Sequence, residues 1–566
     1  MTQYHNSASE PEPSCQPNEP AVDQNLIKQL EIKISNLEKR IEKLTQENLK
    51  LNRQWKEATH SISWRAINKL SVVAKKLAPS GSIRRRILKS SWQMLMLVRR
   101  HGPIAWLRRT LSRAKSKLIQ EYQYFSAGRK SFESNDNPVI LAISHIGGGG
   151  TERHVRDMAQ RLSSEGTRPI YAHPDSLGRL IFEERDELWK LKWRRVIRPE
   201  IGNIQAILNQ INPSLVHVHH TMGLPRHLFD VINQQQIATD WTLHDYHAVC
   251  PRIHLHNEIG RYCGEPDQPG CNSCLKRLGN YHGDPVSTSI ENYRREWAER
   301  LSQARAIYVP SDDARQRLSR YFPKLKIQSR PHMEPSRPDY PLAVKYNPGE
   351  SVRVAVIGSI GSIKGSAQFL AVAQDAAERQ LPIEFVLVGT SNLEPQLLAT
   401  GRVELTGPYF EQEVWKRLDE AACHLAWLPS IWPETYMYTL SVAQLGGFWP
   451  MVYDIGAQSR RVIDSSYGDC ISIDMPADLI NDLLLKRASE LADREFPGPP
   501  QFAEYPDFLV EYYGLTRDQL KLMVVRDKLE TRQTGLNHSS LNSKITSHES
   551  RSDHARIYEH HRQLSA

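Results

Sequence analysis

Two stretches combine glycines, small polar residues and a charge in a way that suits an anion. The first, His145-Ile146-Gly147-Gly148-Gly149-Gly150-Thr151-Glu152, follows the β-rich run Val139–Ser144 and opens a helical stretch. Four glycines let backbone amides approach an anion closely, and a helix N-terminus behind them adds a favourable dipole. An ordinary tight turn has the same composition. The second stretch, Gly358-Ser359-Ile360-Gly361-Ser362-Ile363-Lys364-Gly365, follows the run Val352–Ile357 and again precedes a helix. Lys364 can neutralise a diphosphate there; a surface lysine at a helix start is the plainer reading. The spacing fits neither the P-loop nor the dinucleotide glycine pattern. A third group, Cys250, Cys263, Cys271 and Cys274, has spacings of 12, 7 and 2 residues, with His254 and His256 nearby. Four thiolates suit a structural zinc. A locally packed or partly oxidised loop is the other reading, because the spacing lacks a second Cys-x2-Cys hook.

The elements that must position these groups alternate in type. Short β-rich runs (Val139–Ser144, Leu215–Val218, Ala238–Leu243, Ala306–Pro310) are separated by helical stretches such as Glu152–Leu162 and Ile204–Ile211. A second series begins with Val352–Ile357 and continues through Ile383–Val388 and His424–Leu428. This is α/β texture twice over, predicting two doubly wound, Rossmann-like domains over 137–335 and 350–485. Pro331, Pro335, Pro338, Pro341 and Pro348 mark an extended linker and hinge between them. Ligands of doubly wound sheets bind beyond the carboxyl ends of the strands, where both glycine loops must lie.

Further motifs occur in a fixed order: Gly147–Val155, His217-Val218-His219-His220, Thr242-Leu243-His244-Asp245, Val309-Pro310-Ser311, Lys364-Gly365, and Pro433-Glu434-Thr435-Tyr436 ahead of Leu440-Ser441-Val442-Ala443. From about Asn137 to Val510 the set resembles the retaining, nucleotide-sugar-dependent GT-B glycosyltransferases of family four. Trp432–Thr435, Tyr453-Asp454-Ile455-Gly456-Ala457 and His244–Arg252 followed by cysteines are similar to enzymes building bacterial O-antigen, capsule or related surface polysaccharide. Ser61-Ile62-Ser63-Trp64-Arg65 after a heptad segment resembles N-terminal extensions of such proteins.

The resemblance implies transfer of a sugar from a nucleotide diphosphate to a growing, lipid-linked glycan. The leaving diphosphate gains charge as the anomeric bond breaks. In metal-independent members, pre-organised donors stabilise it, matched here by Gly148, Gly149, Gly150, Ser359 and Lys364, with no cofactor required for catalysis. Glu434 matches a glutamate that accepts hydrogen bonds from donor-sugar hydroxyls, with the amides of Thr435 and Tyr436 adding to the anion site. His244 matches a histidine of the facing domain near the donor sugar, with Asp245 orienting it. This chain departs from the pattern in three places. Val442 stands where a second glutamate would reach the ribose, Ser359 where an arginine would fork a phosphate, and Gly447-Phe448-Trp449-Pro450-Met451 is bulkier than the usual Gly-Leu-Pro. A catalytically degenerate glycosyltransferase fold acting as a scaffold or binding protein is therefore the alternative.

The remaining chain bears on where the reaction would happen. Over 24–58, Ile27, Leu30, Ile34, Leu37, Ile41, Leu44, Asn48, Leu51 and Trp55 alternate in steps of three and four. Ile at a and Leu at d, with one polar a residue, predict a parallel dimeric coiled coil, a lone amphipathic helix packed on the body of the protein being the plainer reading. Residues 60–130 hold 17 Lys or Arg and one acid, interleaved with Trp64, Trp92, Trp106 and several leucines, while the whole chain carries a net charge of +9. Within a segment spanning 59–132, that pattern predicts helices lying on an anionic membrane surface. A merely solvated basic face is the plainer reading, and nucleic acid is the charge-compatible rival, though no nucleic-acid-binding signature accompanies the charge. Residues 1–23 are polar and Pro-rich, 486–526 read as C-terminal helices, and 527–566 as a polar tail; both ends are expected to be disordered. With 40% hydrophobic and 24% charged residues, wholesale disorder is excluded. No run of about 18 uncharged apolar residues exists, so a cytoplasmic protein peripheral to the inner face of the membrane is expected.

Overall fold

The computed structural model describes Phe132 and residues 136–523, apart from 146–147, 176, 258–259, 284, 335–337, 493–497 and 499. The expected coiled coil, basic segment and polar termini lie outside the described residues.

The β-rich runs become buried strands because their side chains are apolar on both faces, as parallel strands covered by helices require. In chain order the first half runs β1 (Val139–Ile143), α1 (Gly149–Ser164), β2 (Arg168–Pro174), β3 (Leu180–Arg185), β4 (Leu191–Ile197), α2 (Ile201–Ile211), β5 (Leu215–Val218), α3 (Arg226–Gln234), β6 (Thr239–Thr242), α4 (Gln268–Leu278), α5 (Ile290–Ser302), β7 (Ala306–Val309), α6 (Asp312–Tyr321) and β8 (Ile327–Ser329). The second half runs β9 (Val352–Ile360), α7 (Ser366–Glu378), β10 (Ile383–Ser391), α8 (Glu394–Ala399), β11 (Val403–Leu405), α9 (Val414–Ala421), β12 (Leu425–Leu428), α10 (Tyr438–Leu445), β13 (Trp449–Tyr453), α11 (Gly456–Ser465), β14 (Asp469–Ile471) and α12 (Ala477–Leu491).

The strands form two sheets. The first has the order β4-β3-β2-β1-β5-β6-β7-β8, parallel except for β3, which runs antiparallel to both neighbours. The second has the order β11-β10-β9-β12-β13-β14 and is parallel throughout. Two doubly wound, Rossmann-like domains, the GT-B arrangement, are therefore present within one compact unit. Each sheet reverses its winding once, at β1/β5 and at β9/β12. The loops leaving those four strands carry Gly148–Gly150, His219–His220, Lys364 and Glu434. The groups singled out by chemistry thus stand at the crevices where doubly wound sheets take their ligands.

The C-terminal part of the chain departs from expectation. The boundary expected at 485 falls inside α12, whose Ile480, Leu484, Ala488 and Leu491 complete the core of the second domain. The chain then returns to the first domain. Phe508, Leu509, Tyr512 and Tyr513, around a single π turn (Leu509–Tyr513), pack on Ile140, Met158, Leu162, Leu215 and Tyr308. Glu165, at the end of α1, anchors this return by accepting from the backbone N–H groups of Phe508 at 2.7 Å and Leu509 at 2.8 Å. Among the described residues no helix is long and apolar enough to cross a membrane.

Candidate active site

The second domain contributes a cation beside a buried carboxylate. Strand β9 runs on to Ile360, so Ser359 is an exposed strand residue whose hydroxyl lies 3.3 Å from that of Thr390. A 3₁₀ turn, Ser362–Lys364, follows. Gly365 then turns the chain into α7 at φ 81°, where a Cβ would stand 1.9 Å from the carbonyl oxygen of Pro429. Only glycine allows the Lys364 turn and the loop after β12 to approach so closely. On that loop Glu434 is buried and accepts from the Ser430 hydroxyl at 2.8 Å. The Lys364 ammonium, with a side chain 37% exposed, lies 3.6 Å from the same carboxylate oxygen. A half-open cation over a fixed acceptor can take a phosphate on one side and a hydroxyl on the other.

Thr435 and Tyr436 turn their side chains into the junction between the domains. The Thr435 hydroxyl donates to the carbonyl of His244. The Tyr436 hydroxyl donates to Glu334 and lies 3.1 Å from the carbonyl oxygen of His332. Helix α10 begins only at Tyr438, capped by Met437 at φ 68°, a conformation that costs a non-glycine residue about 1–3 kcal/mol. Arg461 holds this bend by donating to the carbonyls of Tyr436 at 2.9 Å and Met437 at 3.1 Å, while pairing with Glu334 at 3.3 Å. Burial raises the Glu334 pKa against the opposing charge of Arg461. Val442 packs into an apolar core cluster with Leu440, Ala443 and Phe448.

Facing these residues, Gly148 and Gly149 take φ of 69° and 76° with open space on the side where a Cβ would stand. The Gly148 N–H donates to Glu152 at 2.9 Å, so this chain's own carboxylate occupies the amide expected to meet an anion. Gly150 lies against the ring of Tyr438, 3.3 Å from a Cβ position.

His244 is buried, but Asp245 does not orient it. Asp245 lies 3.1 Å from Nε2 of His220 and accepts from the backbone N–H of His247 at 2.8 Å. Burial works to raise the Asp245 carboxyl, and is outweighed by His220 and His247, which hold it well below the usual range. Nε2 of His244 instead lies 3.1 Å from Nδ1 of His219. His154 and His332 crowd the same spot, their rings 3.9 Å apart and each 5.2 Å from that of His244. Burial, reinforced by neighbouring imidazoles, keeps His154, His219, His244 and His332 neutral.

No disulfide joins the four cysteines, and Cys271 and Cys274 stand one turn apart on α4. Burial pushes the Cys250 thiol up to about 12, with Cys263, Cys271 and Cys274 adding to the shift, yet among the described residues no three of the four gather as closely as a metal site needs. The Cys271 thiol lies 3.4 Å from the carbonyl oxygen of Pro266 and 3.6 Å from the Arg294 guanidinium. The loop carrying these cysteines also brings His254 edge-on to Trp432, ring centroids 4.6 Å apart, beside the Glu434 loop.

A histidine-rich crevice in one sheet now faces a Lys–Glu pair in the other. Residues 148–328 match Glycosyltransferase Family 4. The match begins at the first glycine loop and ends in β8, and so covers most of the first domain. No match is found among curated proteins. Solved structures resemble the chain at low identity. Sucrose-phosphate synthase from Thermosynechococcus elongatus is 14% identical, with 71% of this chain and 100% of that chain covered and a TM-score of 0.43. A glycosyltransferase from Rickettsia africae is 12% identical, with 72% and 100% covered and a TM-score of 0.43. The pneumococcal O-GlcNAc transferase GtfA, in complex with UDP and GlcNAc, is 11% identical, with 71% and 100% covered and a TM-score of 0.41.

Sequence reasoning missed three contributors to the crevice. His154 sits two residues beyond Glu152 on a helix face that reads as ordinary amphipathic surface. His332 and Glu334 lie in the Pro-rich linker, where no periodicity points to burial. A polar or charged residue beside prolines in a short linker was the one available signal.

Proposed function

We propose that the chain transfers a sugar from a nucleoside-diphosphate donor, retaining the anomeric configuration, without a metal ion on the diphosphate. The observation that carries the reading is the Lys364 ammonium 3.6 Å from the buried Glu434 carboxylate, at the switch point of the second sheet and opposite the His244 loop. Lys364 and the backbone around Gly361 to Gly365 would meet the diphosphate, and the positive charge would gain in value as the bond to the sugar breaks. Glu434 would hold sugar hydroxyls, its orientation set by Ser430. His244 would line the sugar side through its neutral ring and its carbonyl, which Thr435 fixes. A lipid-linked surface glycan as acceptor, with residues 59–132 on an anionic membrane and 24–58 pairing two copies, rests on the composition of those segments. A membrane-held enzyme would meet such an acceptor at raised local concentration.

The second reading is a degenerate, scaffolding member, favoured by Val442 packing into apolar core and by the Gly148 amide already engaged by Glu152. Thermal unfolding of the full chain against UDP, GDP, ADP and dTDP, each with and without common sugars, separates the two. A native-state ligand must raise the midpoint. The transferase reading expects a shift with one nucleotide class, abolished in Lys364→Ala and made insensitive to the sugar in Glu434→Ala. No shift at millimolar ligand would favour the scaffold. Co-sedimentation of the full chain with anionic liposomes, against salt-matched DNA, tests the membrane segment; equal, steeply salt-dependent DNA binding would sink it.

A further inference from the structure

The imidazoles at the carboxyl edge of the first sheet are arranged as ligands. His154 comes from α1, His219 from the loop after β5 and His244 from the loop after β6, and one nitrogen of each lies within 4.8 Å of the other two. All three residues are buried. Among the described residues, this is the one group of three or more His, Cys, Asp or Glu gathered so closely.

Hydrogen bonding leaves the cluster incomplete. Nδ1 of His219 and Nε2 of His244 are 3.1 Å apart. Two lone pairs converging on one tetrahedral ion with metal–nitrogen bonds of about 2.0–2.1 Å would stand about 3.3 Å apart, close to that spacing. Nδ1 of His154 is buried without a partner, while its Nε2 lies 3.4 Å from the Tyr512 hydroxyl. That is the division of labour of a metal-bound histidine, one nitrogen free for the ion and the other steadied by an outer hydrogen bond. Nδ1 of His332 is likewise buried and unpartnered, with its ring against that of His154.

We infer that His154, His219 and His244 bind one divalent transition-metal ion of the kind imidazole prefers, zinc foremost, with His332 as the neighbouring fourth imidazole. Carboxylates are absent from the trio, which disfavours magnesium and calcium. The ion would fasten α1 to the ends of β5 and β6 and fix the loop that carries His244. This differs from the cysteine group in ligand type and place, and it would hold whether the chain transfers sugar or only binds partners.

The test is metal content of the untagged, full-length protein after incubation with Zn²⁺ and removal of excess. One equivalent is expected to persist in the double variant Cys271→Ser/Cys274→Ser, and to be lost when His154→Gln or His219→Gln is added to that double variant. X-ray absorption at the zinc edge of the unaltered chain reads the same site without any substitution. A shell of imidazole nitrogen at about 2.0–2.1 Å is expected, beside any sulfur at about 2.3 Å from the cysteines. A protein that takes up no metal, or one whose zinc shows only a sulfur shell and vanishes with the cysteines, would overturn the inference. Retention of that equivalent when either histidine substitution is made in the Cys271→Ser/Cys274→Ser background would overturn it equally. The donor thermal-shift assay is scored separately, so loss of either result leaves the other standing.

Discussion

Asp245 shows how a residue chosen for one role can serve another. Its carboxylate joins His220 to the backbone of His247 and thereby braces the turn after β6. Because its folded pKa lies below the unfolded one, its contribution is fully present above about pH 4 and is lost as pH falls through the depressed folded value. Asp245→Asn should therefore cost about 1.5–3 kcal/mol at pH 7, the scale of losing hydrogen bonds to a charged group, with a smaller gap in strong acid. Urea unfolding at pH 7 and pH 3 measures both, and equal stability at pH 7 would contradict the bracing role. A comparison with Asp157 runs the other way. Burial, with Glu411 adding to it, raises this carboxyl to about 6 against the attraction of Arg153 and Arg156. Its stabilising contribution is complete below about pH 4 and lost as pH rises through 6, so Asp157→Asn should be about 1–3 kcal/mol more stable than the parent at pH 7.5. The advantage should shrink toward pH 5, and its absence at pH 7.5 would contradict the buried charge. The Asp245 partner was not legible in the sequence. Adjacency suggested His244, whereas consecutive residues at a strand end diverge, and His220 stands 25 residues away. For Asp157 the i,i+4 spacing to Arg153 on α1 was legible, but Glu411 of the second domain was not.

The strands were the legible part at the scale of elements. β5, β6 and β7 match the apolar runs within one or two residues, because parallel strands buried on both faces show themselves as continuous β-branched and aromatic segments. β3 and β4 were missed: the edge strand Leu191–Ile197 mixes charge with aromatic and aliphatic residues, and Leu180–Arg185, antiparallel to both neighbours, ends in Glu-Glu-Arg. The glycine loops were placed correctly beyond their strands, though the detail differed, since β9 carries Ser359 within the sheet. Gly365 is the tightest joint in the second domain. Gly365→Ala sets a Cβ against the Pro429 carbonyl at positive φ, so the Lys364 turn and the Glu434 loop must part. A loss of at least about 2 kcal/mol, with loss of any nucleotide-induced thermal shift, is expected. Gly361→Ala, which meets nothing within 4 Å and has no positive φ, should leave stability within about 0.5 kcal/mol and serves as the control.

Across the whole molecule, among the described residues, two contacts stand out beside the aromatic packing of Trp432 on Tyr246 and His254 that also holds the domains face to face. One is polar and central, the Thr435 hydroxyl on the His244 carbonyl. The other is ionic and peripheral, Arg153 and Arg156 of α1 on Glu411 of the second domain. The linker adds Glu334 under Arg461, so the Pro-rich segment read as a hinge also supplies a wedge. Glu411→Gln weakens the peripheral contact alone and should raise the radius of gyration in solution scattering, most clearly at low salt, without lowering the unfolding midpoint by more than about 2 °C. An unchanged scattering profile would show that the central contacts suffice.

The return of the chain to the first domain has a consequence for synthesis. The face formed by Ile140, Met158, Leu162 and Tyr308 is covered by Phe508, Leu509, Tyr512 and Tyr513, which leave the ribosome only after the entire second domain. From β8 at residue 329 to residue 513 is 513 − 329 = 184 residues. At about 5–20 residues per second, that apolar face waits roughly 10–40 s for its cover. Throughout that interval the nascent first domain presents an apolar surface to its neighbours on a polysome, and a chain ending before residue 505 would leave that face uncovered.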